Sequence, residues 1–527
     1  MSIFPYTQLL FESSLAVVIC GPHIQILNSR TGDLIHTTAD RQGADKDSLL
    51  KSGPIRLAAI DRDAKCLATS GDDKLLKLWH VDGLKLLNER ELPKKPTALA
   101  FTQDGQTVLA SDKFGDVFSY DLIPVPQIVE QKNAALLSHE NPSGGQLILG
   151  HTSFLTAFLL SFDEKFIVTA DRDEHIRVSW YPQGYTIESY CLGHEKFVSA
   201  IHIAAFCPDE LVSGGGDPML KVWDWMGGRV KREIPILQAV EPYIKVKPAR
   251  KTPQRFEDDG ERDGDEIKKK GKRARALAKQ RAKSSSAVGD APSGVPADVS
   301  ERPKTADSAE GAGSDEAVLA IQRIASLQSG TDGRHLIFSA VGATALFSCV
   351  YSEEDATPAI QAFDFEKPVI DFSVTSDGSI WVCLDGQWSE SGADSAGSAT
   401  TMVRVLRLSD GKLVETSDES PLLTSLNSKC LLPATSSELK NLDIYSSLTA
   451  LPKNNDTEHD PMDRDVLESA VEGKELSQKE LGRLKSKKAV AKAQATRSTG
   501  DSEEEEGSSA KRARADYDED VAMEVVS

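Results

Sequence analysis

The chain has no cysteine pair at the spacing of a redox or zinc motif. Its seven cysteines, Cys20, Cys66, Cys191, Cys207, Cys349, Cys383 and Cys430, are odd in number and scattered, with no C-x-x-C among them. This argues against a disulfide framework and a zinc site, and for a reducing compartment. No apolar run approaches the roughly 20 residues a membrane helix needs. The N-terminal stretch has no basic region and is broken by Glu12, so it does not read as a signal peptide. Positive charge is also in deficit: 61 Lys and Arg stand against 81 Asp and Glu, a net charge of -20. A chain so charged is a poor polyanion binder as a whole, so any nucleic-acid contact must come from a local basic patch or a partner. Catalytic signatures are missing as well: there is no G-x-S-x-G, P-loop, H-E-x-x-H or dinucleotide-binding glycine fingerprint. The Gly214–Gly216 run follows a strand-like segment but opens a tight turn into another strand, not a phosphate-cradling helix.

Hydrophobic residues make up 39% of the chain and charged residues 27%, enough for a large core with some of the chain left outside it. Residues 1–247 alternate apolar and polar positions between turn signals. Residues 248–315 are rich in Lys, Arg, Asp, Glu, Ser, Ala and Pro and nearly free of aromatics. Such a segment cannot bury enough apolar surface to offset its ordering entropy, so it is expected to be a disordered basic insertion. Strand-like texture returns over 316–451, and 452–527 reads as a disordered charged tail.

The folded blocks carry a repeat. Thr69-Ser-Gly-Asp-Asp-Lys-Leu-Leu-Lys-Leu-Trp79 aligns with Ser213-Gly-Gly-Gly-Asp-Pro-Met-Leu-Lys-Val-Trp223, and Asp73 and Asp217 each fall six residues before their tryptophan. Thr169-Ala-Asp-Arg-Asp-Glu-His-Ile-Arg-Val-Ser179 is a third copy, with Asp173 in register and Ser179 in the Trp slot. A weaker fourth copy, Ala110–Tyr120, puts Tyr120 in the slot and Phe114 where the Asp would be. Gly150-His151 and Gly193-His194 sit about thirty residues before their slots. This pattern resembles WD repeats. The resemblance implies that Asp73, Trp79, His151, Asp173, His194, Asp217 and Trp223 are structural: an Asp in a tight turn that bonds a buried His, and a Trp that closes the blade. Three weaker candidates, at 11–36, 336–349 and 369–406, bring the number of blades to seven. Seven blades at roughly 40–45 residues need about 300. The expected fold is all-β: a seven-bladed propeller, with blades one to five in 1–247 and blades six and seven in 316–451.

Blade four departs from its siblings. Asp171-Arg-Asp-Glu-His-Ile-Arg177 is denser in charge than the equivalent turns, which reads either as a solvated turn or as a docking edge for a protein partner. If Arg177 lies in a strand, Ile176 and Val178 point into the blade and Arg177 points away, as Lys77 and Lys221 would. Thr169–Ser179, Tyr181-Pro182, Cys191–Ser199 and Ser111–Val117 together resemble one WD-repeat family, the non-catalytic subunit of the eukaryotic tRNA (guanine-N7-)-methyltransferase, in its fungal form. The match is dense over 54–235. It implies a scaffold without catalytic residues, metal or cofactor of its own. A separate catalytic subunit in a heterodimer would bind S-adenosylmethionine and most of the tRNA. It also implies a docking surface around Arg172, Glu174, His175, Arg177 and Lys196. A general interaction scaffold in nuclear RNA or ribosome biogenesis, and an enzyme with its site in the propeller channel, are the rival classes.

Two cationic runs remain. Lys268, Lys269, Lys270, Lys272, Arg273 and Arg275 lie in the insertion; Lys511, Arg512 and Arg514 follow the acidic stretch at 501–506. Such runs read as nuclear import signals or phosphate-binding patches, so a nuclear location is expected.

Overall fold

The computed structural model describes residues 2–124, 141, 143–248, 317–330, 333–352, 358–388, 401–416 and 420–453. The two cationic runs, nearly all of the expected insertion and all but the start of the expected tail fall outside these residues. The chain divides into two compact units: Met1–Asn133 with Asn141–Pro452, and Ala134–Glu140 with Lys453–Ser527. Of the second unit only Lys453 is described.

The alternation read in the sequence builds seven four-stranded antiparallel sheets among the described residues, each a simple meander in chain order. The first strands of the sheets are Gln8–Glu12, Ile55–Ile60, Pro96–Phe101, Leu155–Leu160, Val198–Ile203, Ile321–Ser329 and Val369–Val374. Each lies beside the next, and the last lies beside the first, so the sheets are blades of a closed ring. Second strands such as Leu15–Cys20, Phe166–Asp171 and Glu210–Gly215 are buried along nearly their whole length. They are covered by a neighbouring blade on either side, which is why they read as unbroken apolar runs. Fourth strands such as Ile187–Cys191 and Arg229–Pro235 form the exposed rim. The meander sends second-to-third turns and blade-to-blade linkers to one face, called upper here, and the other turns to the lower face. On the upper face Gly115 holds φ +94°, and a Cβ there would lie 2.3 Å from the Ser153 carbonyl oxygen. Only glycine fits this turn without displacing the next linker.

The core lies between blades. Phe166, Val168 and Val178 of blade four pack with Leu211 and Trp223 of blade five. Each such fully buried side chain contributes about 1.5–3 kcal/mol. At the break between blades five and six, Ile321, Leu336 and Phe338 pack with Val212, Leu220 and Val222. Polar contacts reinforce this junction. The Ser199 hydroxyl donates to the Ile321 carbonyl, the Tyr351 hydroxyl donates to Glu210, and His202 Nε2 lies 2.9 Å from Ser326 Oγ. Burial and nearby Arg323 push the His202 imidazole down to about 4.

Among the described residues no strand is shared between the first and last blades, so another element secures the ring. Residues 421–450, which were expected to continue the strand texture, are helical instead. Helices α1 (Ala44–Ser52) and α2 (Leu237–Val240) lie in linkers, and three more follow blade seven: α3 (Pro421–Ser428), α4 (Ser436–Leu442) and α5 (Ser447–Ala450). The strand reading missed them because their leucines cover a ring that is already closed and do not face a sheet of their own. Pro421 at the start of α3 and a capping box at Thr435 and Glu438 are the local signals. Leu422, Leu426 and Cys430 join Phe4, Tyr6, Leu9, Trp381 and Cys383 in one core cluster. Tyr6 donates its hydroxyl to the Leu426 carbonyl at 2.8 Å. Phe4 N–H bonds Leu432 O and Ala434 N–H bonds Ser2 O, each at 2.9 Å. The segment is a clasp across the seam between blades seven and one.

Two predictions follow from these junctions. Leu426→Ala removes a fully buried clasp side chain and is expected to lower unfolding stability by about 2–5 kcal/mol in urea, with an unchanged denaturant slope. A loss below about 1 kcal/mol would show that the clasp does not carry the seam. His202 favours its neutral form in the fold, so its contribution is complete above about pH 6.5 and is lost as pH falls towards 4. The urea midpoint should fall across that window, by up to about 3 kcal/mol from this group. His202→Gln, which does not titrate, should make the fall shallower.

Candidate functional site

The residues singled out by the repeat meet on the upper face. In blade five Trp223 Nε1 donates to Ser213 Oγ at 2.8 Å, the Ser213 hydroxyl reaches His194 Nε2 at 2.7 Å, and His194 Nδ1 donates to Asp217. One histidine tautomer satisfies every group in the chain. Asp217 Oδ1 also takes the backbone N–H groups of Glu195 and Lys196, at 3.2 and 3.1 Å, and so holds the linker from blade four. Blade two keeps half of this arrangement. Trp79 Nε1 donates to Thr69 Oγ1 at 2.8 Å, but Asp73 pairs with Lys77 at 3.1 Å in place of a histidine.

Blade four differs from the sequence expectation. The partner of His151 is Asp171, not Asp173: Nδ1 lies 3.0 Å from Asp171 Oδ2, and Nε2 lies 2.8 Å from Thr169 Oγ1. Asp171 Oδ1 takes the backbone N–H groups of Asp173 and His175, at 2.9 and 3.0 Å. Blade three repeats this turn, with Asp112 Oδ1 accepting from Phe114 N at 2.7 Å and Asp116 N at 3.1 Å. In blades two and five a glycine, Gly71 or Gly215, occupies the place of Asp112 and Asp171, and the acid sits two residues later. The available signal was the acid eight residues before the slot in both exceptional blades. Burial lowers the His151 pKa, so its ring is neutral at pH 7. Burial alone would raise the Asp171 carboxyl, but the hydrogen bonds from His151 and from the His175 backbone outweigh it and hold it below its ordinary value.

Among the five residues expected at the docking edge, His175 and Lys196 are exposed and Glu174 is half-buried, whereas Arg172 and Arg177 are buried at 6% and 8% exposure. The direction expected of Arg177 holds, but its side chain is covered and not open to a partner. Arg177 does face opposite to Ile176 and Val178, but Tyr190 of the fourth strand is its cross-strand partner, and its Nη1 donates to the Gly150 carbonyl at 3.1 Å. Burial lowers its pKa, with Tyr190 and Asp171 opposing. Lys77 and Lys221 hold the same register position, opposite Thr69 and Ser213; Lys221 is likewise buried, against Glu233, and Lys77 is half-buried against Asp73. Charge reversal at Arg177 would therefore bury an unmatched anion and perturb the fold itself.

Apolar side chains are exposed at this edge as well. Ile187, Tyr190 and Leu192 stand out from the rim of blade four, and Val230 from that of blade five. The two rims touch: Ser189 Oγ donates to Trp225 O at 2.6 Å, and a Cβ on Gly193 would lie 3.8 Å from Val230. Lone exposed apolar residues are ordinary, but four of them on two adjoining rims with charge nearby make this edge a candidate interaction surface. The repeat did not reveal it, because rim residues have no part in the Asp–Trp spacing. Among the described residues no cluster of three or more His, Cys, Asp or Glu could hold a metal. A cavity of about 640 Å³ lies on the lower face between blades seven and one and is lined by Phe11, Glu12, Asp377 and Arg407.

A seven-bladed ring with a buried Trp–Ser–His–Asp chain is a WD-repeat β-propeller. Residues 30–145 and 129–406 match the family described as the tRNA methyltransferase TRM82 WD40 domain, and the chain belongs to that family. It is similar to proteins named tRNA (guanine-N(7)-)-methyltransferase non-catalytic subunit from fungi. The Aspergillus oryzae protein is 38% identical over 38% of this chain and 50% of its own length. The Coccidioides immitis protein is 37% identical over 32% of this chain and 42% of its own. The chain spans about half the length of the curated relatives it matches. A solved structure, the RRP9 WD40 repeats, aligns with 79% of this chain and 96% of its own at a TM-score of 0.48 and 13% identity.

Ser213→Ala would strand both the Trp223 indole N–H and His194 Nε2 in a dry core. It is expected to cost about 2–4 kcal/mol in urea unfolding. Ser179 occupies the Trp slot of blade four with a buried hydroxyl that has no hydrogen-bond partner among the described residues, and Ser179→Ala should change stability by less than about 0.5 kcal/mol. Equal effects of the two changes would contradict the assignment of the hydrogen-bonded chain.

Proposed function

We propose that this chain is the non-catalytic WD-repeat subunit of a tRNA (guanine-N7-)-methyltransferase. It binds a separate catalytic subunit and holds it in its active, stable form. The membership of the family carries this reading, and the exposed rim of blades four and five supplies a surface for it. Ile187, Tyr190, Leu192 and Val230 form the apolar centre of the dock, and His175 and Lys196 form its charged border. Such a border sets register and specificity around an apolar contact. The partner binds S-adenosylmethionine and most of the tRNA, consistent with a scaffold whose net charge of -20 opposes polyanion binding. The heterodimer works in the nucleus, with import assigned to the cationic runs at 268–275 and 511–514.

The test is co-purification with the catalytic subunit and the N7-methylguanosine content of tRNA. Leu192→Glu with Lys196→Glu should weaken the complex by roughly 10- to 1,000-fold, the range for losing a desolvated interface group. The melting curve should stay unchanged, because both side chains are exposed. Leu87→Glu, equally exposed on the rim of blade two, should leave binding intact. If both variants bind the partner normally the dock lies elsewhere, and if no methyltransferase co-purifies with the unaltered chain the reading fails.

A further inference from the structure

The clasp continues into a segment of different character. Residues up to Leu442 are fastened by buried leucines and by backbone hydrogen bonds to the N-terminal strand. Beyond it the chain turns at Asp443, which holds the left-handed conformation at φ +39°. Asp or Asn visits this region at a cost, so the position marks a joint between two pieces. Arg56 fixes the near side of that joint by donating to the carbonyls of Leu442 and Asn441.

Residues 443–451 then lie across the upper mouth of the central channel. Ser446, Ser447, Ala450 and Leu451 share a cavity wall with Thr97, Thr156, Ser199 and Gln322 at the starts of first strands. Among the described residues, the backbone hydrogen bonds donated within α5 and its flanks are local, such as Ala450 N to Ser446 O. Within that set, side chains hold the segment to the ring. The Tyr445 hydroxyl donates to Asp385 Oδ2 at 2.8 Å, and Leu448 and Leu451 are buried. Burial and the Asp385 carboxylate keep this phenol protonated and able to donate. Solvent-open clefts of about 410, 230 and 260 Å³ border the segment.

We propose that the upper channel mouth is a peptide-binding site occupied in cis by residues 443–451. Its recognition elements are a tyrosine, which meets Asp385, and leucines three and six residues further on. Leu448 lies in α5, and Tyr445 and Leu451 flank it. A segment of another protein with the same Tyr-x-x-Leu-x-x-Leu pattern is the class of ligand that would compete. The site lies apart from the rim of blades four and five and does not depend on the methyltransferase reading. A tethered occupant is present at an effective concentration in the millimolar range. An affinity of about 10 μM in trans therefore leaves roughly 1% of the mouths open, and an added ligand binds roughly 100-fold more weakly than to an open site.

The probe is a fluorescein-labelled synthetic peptide of residues 441–453, followed by anisotropy with the full-length chain. The variant carrying Tyr445→Ala, Leu448→Ala and Leu451→Ala should bind it saturably and at least ~30-fold more tightly than the unaltered chain. Adding Asp385→Asn should weaken that binding. Equal binding to both chains, or binding to neither, overturns the proposal. Native-state hydrogen exchange on the unaltered chain provides a test that needs no variant. Amides of 446–451 should exchange at least ~100-fold faster than those of α3, through local release of the segment. If they exchange only with global unfolding, or if the triple variant does not fold, the segment is a fixed part of the ring and the proposal fails.

Discussion

A ring of sheets has one requirement that no single blade can meet: the last blade must find the first. Here every blade is a contiguous meander, so no shared strand stitches the ends together. The seam is held by side chains, with Ser373 donating to the Leu9 carbonyl and Phe11 packing on Trp381 at 5.2 Å between ring centroids. The helical clasp after blade seven covers this seam and bonds the N-terminal strand by its backbone. Loop closure over the length of the chain is entropically costly. The clasp offsets that cost by burying Leu422 and Leu426 with Phe4 and Tyr6. The five-to-six junction faces the same problem on a smaller scale and meets it with a large apolar cluster and the Tyr351–Glu210 contact.

The buried histidine chains serve the same end one step further out. His194 and His151 both lie in linkers between blades, and each is tied to an acid and a hydroxyl of the following blade. A polar chain in a dry interior holds its geometry because any displacement leaves groups unpaired. These histidines therefore fix the angle at which one blade follows another. Buried, tied at both ring nitrogens and engaged in structure, they are poorly placed to act as bases. Blade four has lost the tryptophan of this arrangement but keeps the histidine, with Asp171 in place of the expected acid.

What the rim exposes follows from the same architecture. Inner and middle strands are covered by neighbours, so new function can be added only at the turns, at the channel mouths and along the fourth strands. The apolar side chains on the rims of blades four and five and the upper mouth are two such places. Changes at the rim leave the polar chains intact, because Leu192 and Tyr190 stand outside them.

The sequence by itself determined the repeat, the blades and their order. The spacing from hydroxyl to slot is ten residues in Thr69–Trp79, Thr169–Ser179 and Ser213–Trp223, and it is set locally by one hairpin. The absence of catalytic motifs and the resemblance to the methyltransferase subunit were legible on the same grounds. Tertiary structure decided what depends on neighbours. Whether Asp171 or Asp173 holds His151 is settled by where the incoming linker places the imidazole, not by distance along the chain. Arg177 has the alternation expected of an outward residue, yet the next strand covers it with Tyr190. The leucines of 421–451 carry no sheet period, because the surface they bury belongs to blades hundreds of residues away. Local periodicity reports which side of its own element a residue occupies, and only the packed ring determines whether that side meets water.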